Sequence, residues 1–216
     1  MDEKRQEEAD YLKDSALYEV VRALATAVFR TLMPVVFHGR EKLDREAPYL
    51  LIANHRHALD PVAMAMGVRK RQVAFLAKKE LGKNPLMAAI LKKLHCILVD
   101  RHHTDMEAMR ACVKTIRAGR ILVIFPEGTR HHEGQMEQIE NGTALLALRS
   151  RCPVIPVYIA QKLRLFHRTH LYVGDPIPCQ DLISAGINAE TCEKMNDRMR
   201  ETYREMIRKF PEKGES

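Results

Sequence analysis

At 216 residues, with 46% hydrophobic and 29% charged side chains, the chain can bury one sizeable core and is unlike a disordered polar tract. Net charge is +7, and because the first ten residues hold two positive and five negative side chains, the remaining 206 carry +10. A basic folded body suits anionic partners, whether phosphate-bearing substrates, anionic lipid headgroups or nucleic acid. The acidic, polar start is unlike a cleavable signal peptide. The five cysteines (Cys96, Cys112, Cys152, Cys179, Cys192) are widely spaced, with no Cys-x-x-Cys pair, which points to reduced thiols on the cytoplasmic side.

From Ser15 to Phe37 the only charged residues are Glu19, Arg22 and Arg30, and Leu17, Val20, Val21, Leu24, Val28 and Leu32 recur close to helical spacing. This predicts an N-terminal amphipathic, membrane-contacting helix within residues 1–36, ahead of a single domain at 37–216. The three charges and Pro34 argue against a membrane span, since each central charge costs about 2.5–3.5 kcal/mol to insert. Two placements stay open for the apolar stripe: in a membrane interface, or packed on the core.

Beyond it, short apolar runs alternate with helical patterns. Strands are predicted at Tyr49–Ala53, Gln72–Ala77, Cys96–Val99, Ile121–Phe125, Val154–Ile159 and Thr169–Val173. Helices are predicted at Pro61–Gly67, Pro85–Leu94, Asp105–Ala118, Gly142–Ser150 and Ala189–Lys209. Such alternation gives an α/β class: one domain with a mostly parallel or mixed sheet flanked by helices. In these folds the loops after the carboxyl ends of strands gather ligands. Three chemically loaded segments fall in such loops: Asn54 to Asp60, Asp100-Arg101 and Pro126 to Arg130.

His55 followed five residues later by Asp60 offers a general base with a carboxylate to fix its tautomer. Asp60-Pro61 is equally a helix start needing no catalysis, and by spacing alone His57 serves as well as His55. Phe125 to Arg130 reads FPEGTR, where glycine permits positive φ or a close backbone approach and the arginine fork matches phosphate oxygens. A plain surface turn explains Glu127-Gly128, but not a second arginine, Arg101, in the corresponding place after another strand.

Together these segments resemble the 1-acylglycerol-3-phosphate acyltransferase family over nearly everything from Phe37 to Asp175. Its Asn-His-x-x-x-x-Asp motif is matched by Asn54, His55 and Asp60. The lysine-rich segment ending at an arginine is matched by AKKELGKNPLMAAILKKLHCILVDR, with Lys79, Pro85 and Arg101 in place. Phe-Pro-Glu-Gly-Thr-Arg is matched at all six positions, and the apolar run with a central proline is VIPVYI around Pro156. The resemblance implies a glycerol-3-phosphate acyltransferase-like fold in which His55, held by Asp60, deprotonates the acceptor hydroxyl for direct attack on a thioester. It implies an acceptor site of Lys79, Arg101, Glu127, Gly128, Thr129 and Arg130, no metal, no cofactor and no acyl-enzyme. The co-substrate is acyl-CoA or acyl-ACP, the acyl carrier protein. The product is phosphatidic acid, made in phospholipid biosynthesis by a peripheral protein on the cytoplasmic face of the cell membrane, docked on an anionic surface.

Three positions depart from the family's habit. His57 stands where serine or threonine is common, His95 where glycine is common, and Glu140 where a lysine is common. The last inverts a charge near the acceptor site and leaves another lysolipid or an amino-acid lipid as an alternative acceptor. Two readings of other classes compete. A metal-dependent hydrolase would draw on His55, His57, Asp60, His102, His103, His131 and His132, but full ligand spacings such as His-Glu-x-x-His are absent. A nucleic-acid-binding module fits the charge, but aromatic residues are only 6% with no tryptophan, and none interleaves with basic residues in a binding motif, so no nucleic acid partner is expected.

Overall fold

The computed structural model of the chain describes residues 14–99, 106–128 and 136–211. Capping side chains start several of its helices. Ser15 accepts from Tyr18 N at the head of α1 (Ala16–Leu32), and Pro34, which cannot donate to the helix ladder, lies just past its end. Val35–His38 then form strand β1, so the apolar segment divides at the proline into helix and strand instead of running as helix to Phe37. After a 3₁₀ turn (Arg40–Leu43) come β2 (Leu50–Ala53), α2 (Asp60–Gly67), β3 (Val73–Lys78) and a second 3₁₀ turn (Lys79–Lys83). Next are α3 (Pro85–Lys93), β4 (Cys96–Val99), α4 (Met106–Arg117), β5 (Ile121–Ile124), α5 (Asn141–Ser150) and β6 (Val154–Ile159). The chain closes with β7 (Thr169–Val173), α6 (Gln180–Ala185) and α7 (Ala189–Lys209), the last opened by a reciprocal Asn188–Thr191 capping box. Strand β1 and helix α6 add to the sequence expectation; four and six residues are too few to display a period.

The seven strands make one sheet in the order β1-β7-β6-β2-β5-β3-β4. From β6 to β4 all neighbours are parallel, while β7 runs antiparallel to β6 and β1 parallel to β7. The sheet is therefore mixed, with two reversed strands at one edge. Leu50 and Ile52 of β2 enter one core with α4, α5 and α7, and Leu51 and Ala53 enter a second core with α1 and α2. Burial on both faces is why the central strands read as unbroken apolar runs.

The five parallel strands end on a common edge. Helix α2, following β2, packs into the second core, whereas α5, following the adjacent β5, packs into the first. Neighbouring connections thus leave to opposite faces, which opens a crevice beyond the strand ends.

Helix α1 grips the body with Tyr18 and Phe29, continued by Met33. All six residues of its predicted stripe (Leu17, Val20, Val21, Leu24, Val28 and Leu32) are exposed, so the stripe faces away from the core. Gln72 ties the start of the helix down: its amide donates to Ser15 O and Glu19 Oε1 and its carbonyl accepts from Ser15 N. His95 has φ +56°, a left-handed conformation that glycine adopts without strain. Its buried ring hydrogen-bonds Gln72 Oε1 through Nε2 at 2.7 Å, linking β4 to the α1 anchor.

Burial raises the Tyr18 phenol to about 12, although Val73 N donates to it, and burial likewise raises Tyr49 and Tyr203. A folded pKa above the unfolded value of 10 means stabilisation that is complete below pH 10 and lost as pH climbs through 12. Of the six tyrosines, these three are therefore expected to give their tyrosinate absorbance together with loss of helical circular dichroism. Ionisation of all six ahead of unfolding would contradict this burial.

Candidate active site

The residues after β2 are shaped by hydrogen bonds to one carboxylate. Asp60 is fully buried at the head of α2, and its Oδ2 accepts from Arg56 N at 2.7 Å, His57 N at 2.7 Å and His55 Nδ1 at 2.9 Å. Leu59 is the N-cap of α2 and no side chain caps it, so the sequence reading of Asp60 as the cap is not what the fold uses: its two backbone bonds fold the loop ahead of the helix, and the third joins the imidazole to the same atom. With Nδ1–H given to Asp60, Nε2 of His55 is the nitrogen left to accept a proton.

His55 is partly exposed and stacks on Phe125, ring centroids 4.2 Å apart. Its backbone N donates to Glu127 Oε2 at 2.7 Å, so the connections after β2 and β5 are bonded together across adjacent strands. The described bond of Glu127 is thus to the histidine loop. Behind it, Tyr203 of α7 donates to Ile52 O and Val157 O, and its phenol is raised first by burial and then by the Glu127 charge.

His57 is held differently. Its Nδ1 accepts from Leu59 N at 3.2 Å, which makes it the unprotonated nitrogen, and among the described residues no carboxylate is bonded to the ring. The two histidines that spacing could not separate therefore differ in tautomer and in partner.

Gly128 has φ +65°, and its N donates to Phe125 O, closing the turn. A Cβ there would lie 2.6 Å from Oε1 of exposed Glu140, which would have to swing aside, so it is the left-handed backbone that calls for glycine. Glu127, Gln138, Ile139 and Glu140 line a hollow of about 250 Å³ beside this turn. Lys79 is exposed at the end of β3, on the same edge of the sheet as His55 and two strands away, about 10 Å at ordinary strand spacing. Arg101, Thr129 and Arg130 lie outside the described residues, as do His102, His103, His131 and His132.

Two supports carry no role in the sequence reading. Asn54 donates through Nδ2 to Ile159 O and accepts from Ile159 N, extending the β2–β6 ladder by a side chain so that β2 can turn out of the sheet at His55. Buried Arg56 donates to Ala160 O at 2.7 Å. The asparagine that opens Asn-His-x-x-x-x-Asp was the available signal for the first; nothing local marks the second. Among the described residues no three His, Cys, Asp or Glu side chains gather as a metal site requires. Burial pushes the Cys96 thiol up to about 11 and raises those of Cys152, Cys179 and Cys192, which keeps them from thiolate chemistry near neutral pH.

Residues 34–160 match the sequence model of a family described as Acyltransferase, more than half of the chain. The chain is 26% identical over 175 residues to the 1-acyl-sn-glycerol-3-phosphate acyltransferase of Bacillus subtilis (strain 168), covering 77% of this chain and 87% of that one. It is 28% identical over 178 residues to the enzyme of the same name from Streptococcus pneumoniae, covering 79% of this chain but only 62% of the relative, less than two thirds of its length. In three dimensions it is similar to the crystal structure of the 1-acyl-sn-glycerophosphate (LPA) acyltransferase PlsC from Thermotoga maritima. The TM-score is 0.65 at 18% identity, over 91% of this chain and 81% of that one, a likeness of fold.

Proposed function

We propose that this chain, which belongs to the acyltransferase family, moves a fatty acyl group from acyl-CoA or acyl carrier protein to the free hydroxyl of 1-acylglycerol-3-phosphate, forming phosphatidic acid. The observation that carries the chemistry is the His55 Nδ1–Asp60 Oδ2 bond of 2.9 Å at the mouth of the crevice. His55 Nε2 takes the acceptor's hydroxyl proton, and the oxygen attacks the thioester carbonyl. Collapse of the tetrahedral adduct expels the thiolate, which receives the proton from His55. No enzyme nucleophile is needed, in keeping with the raised thiols. The names of the relatives support the acceptor, and the net charge of +7 suits its phosphate. Lys79, Gly128, Thr129, Arg101 and Arg130 are assigned to the acceptor site by motif; Glu127 joins them while bracing the histidine loop.

The test is a transfer assay with lysolipids of different headgroup against both thioester types. Fastest transfer to 1-acylglycerol-3-phosphate is expected. Preference for a zwitterionic or amino-acid lysolipid would move the assignment to that acceptor, and no transfer to any would sink it. Glu140, exposed over Gly128, places a negative charge beside the proposed phosphate site, so Glu140→Lys should lower the KM for a phosphate acceptor about fivefold, as expected for removing a surface-screened repulsion. An unchanged KM would mean the headgroup binds elsewhere.

Because the acceptor is a lipid, we place the protein peripherally on an anionic membrane, on its cytoplasmic face. No helix among the described residues is long and apolar enough to cross a membrane, and the exposed stripe of α1 is the feature that supports docking. Leu24, 63% exposed, is central to it; Leu24→Asp should reduce sedimentation with anionic vesicles without lowering the thermal midpoint. Equal binding by the variant would remove α1 from the docking surface.

A further inference from the structure

The connection between β6 and β7 also turns apolar side chains outward. Phe166, 74% exposed, is the most exposed large hydrophobic side chain among the described residues, and Leu165 beside it is 57% exposed. The tip is a built shape. Leu163 is buried in the second core, His170 N donates to Gln161, and Phe166 N donates to Leu32 O at the end of α1. Phe166 itself has φ +60°, a conformation costing a non-glycine residue roughly 1–2 kcal/mol, so the fold holds this ring out against local preference.

Two further facts say what should meet it. The tip touches the end of α1, so its apolar pair continues the stripe at Leu32, and its base is bonded to the catalytic loop through Arg56 and Ala160 O. The surroundings are basic: exposed Lys162 and Arg168 flank the tip, and no acidic residue occurs from Val20 to Arg40 or from Asn141 to Gly174. Exposed apolar residues ringed by cations, without acids, match an anionic bilayer interface.

We propose that the β6–β7 tip is a membrane-inserting finger. Leu165 and Phe166 enter the interface of an anionic bilayer, Lys162 and Arg168 meet lipid phosphates, and the strand ends bearing His55 are held at the surface that supplies the acceptor. This rests on the peripheral docking reading and adds a second, catalytically adjacent point of attachment to α1.

The chain has no tryptophan, so Phe166→Trp makes a single reporter. Its emission should shift to the blue on adding vesicles of phosphatidylcholine with phosphatidylglycerol, be quenched by lipids brominated along the acyl chain, and respond far less to pure phosphatidylcholine. Replacing both residues (Leu165→Asp with Phe166→Asp) should lower partition onto the mixed vesicles at least about tenfold, with unchanged thermal midpoint and unchanged transfer to a short-chain, monomeric acceptor. Wild-type binding to vesicles with no tryptophan shift and no loss in the double variant would overturn the finger while leaving docking by α1 intact. A shift that follows protein concentration without vesicles would overturn it in favour of a second copy as the occupant. Failure of the wild-type chain to bind vesicles would remove the docking reading itself, and transfer to the monomeric acceptor would still report separately on the acyltransferase assignment.

Discussion

His55→Ala should lower kcat about 10²- to 10⁴-fold, the usual cost of losing a positioned general base, and leave the thermal midpoint unchanged. The ring is partly exposed and its interactions beyond Asp60 are a stack on Phe125, so truncation opens no large cavity in either core. His57→Ala should be mild by comparison, because that ring's Nδ1 serves Leu59 N and, among the described residues, no carboxylate is bonded to it to stabilise a positive imidazolium. Steady-state kinetics on the two variants, with melting curves for both, decide the matter. A severe defect at His57 with a mild one at His55 would exchange their roles.

Asp60 should separate structure from chemistry through two replacements. Asparagine with its carbonyl in the place of Oδ2 can still accept from Arg56 N, His57 N and His55 Nδ1, but it carries no charge to stabilise the imidazolium that forms when Nε2 takes a proton. Asp60→Asn should therefore lower kcat about 10²- to 10⁴-fold with a modest fall in stability. Asp60→Ala strands two backbone donors, at about 1–3 kcal/mol for each that stays buried, and should lower the thermal midpoint as well as activity. Near-normal kcat in the asparagine variant would mean that Asp60 only shapes the loop ahead of α2.

Much of this protein was set by local sequence. Strands such as Val154–Ile159 are legible because burial on both faces demands an unbroken apolar run, and α7 because a capping box and a long helical period agree. The His55–Asp60 relation was legible for a similar reason: five residues folded into one loop at a helix start leave few geometries. Departures from family habit were visible as residue types, yet only the structure showed that His95 occupies a left-handed position and bonds the Gln72 anchor of α1.

Tertiary structure decided the matters that depend on partners distant in sequence. Distinguishing His55 from His57 required the bonds each ring makes, and bracing the His55 loop required Glu127, 72 residues away, and Ile159, 105 residues from Asn54. The helical period of α1 fixed that a stripe exists, but periodicity carries no sign: the same spacing serves a stripe turned in or turned out. The direction was set by Tyr18, Phe29 and Met33 filling the second core, which left Leu24 and its neighbours facing away from it, and by the β6–β7 tip meeting Leu32 across more than a hundred residues of chain.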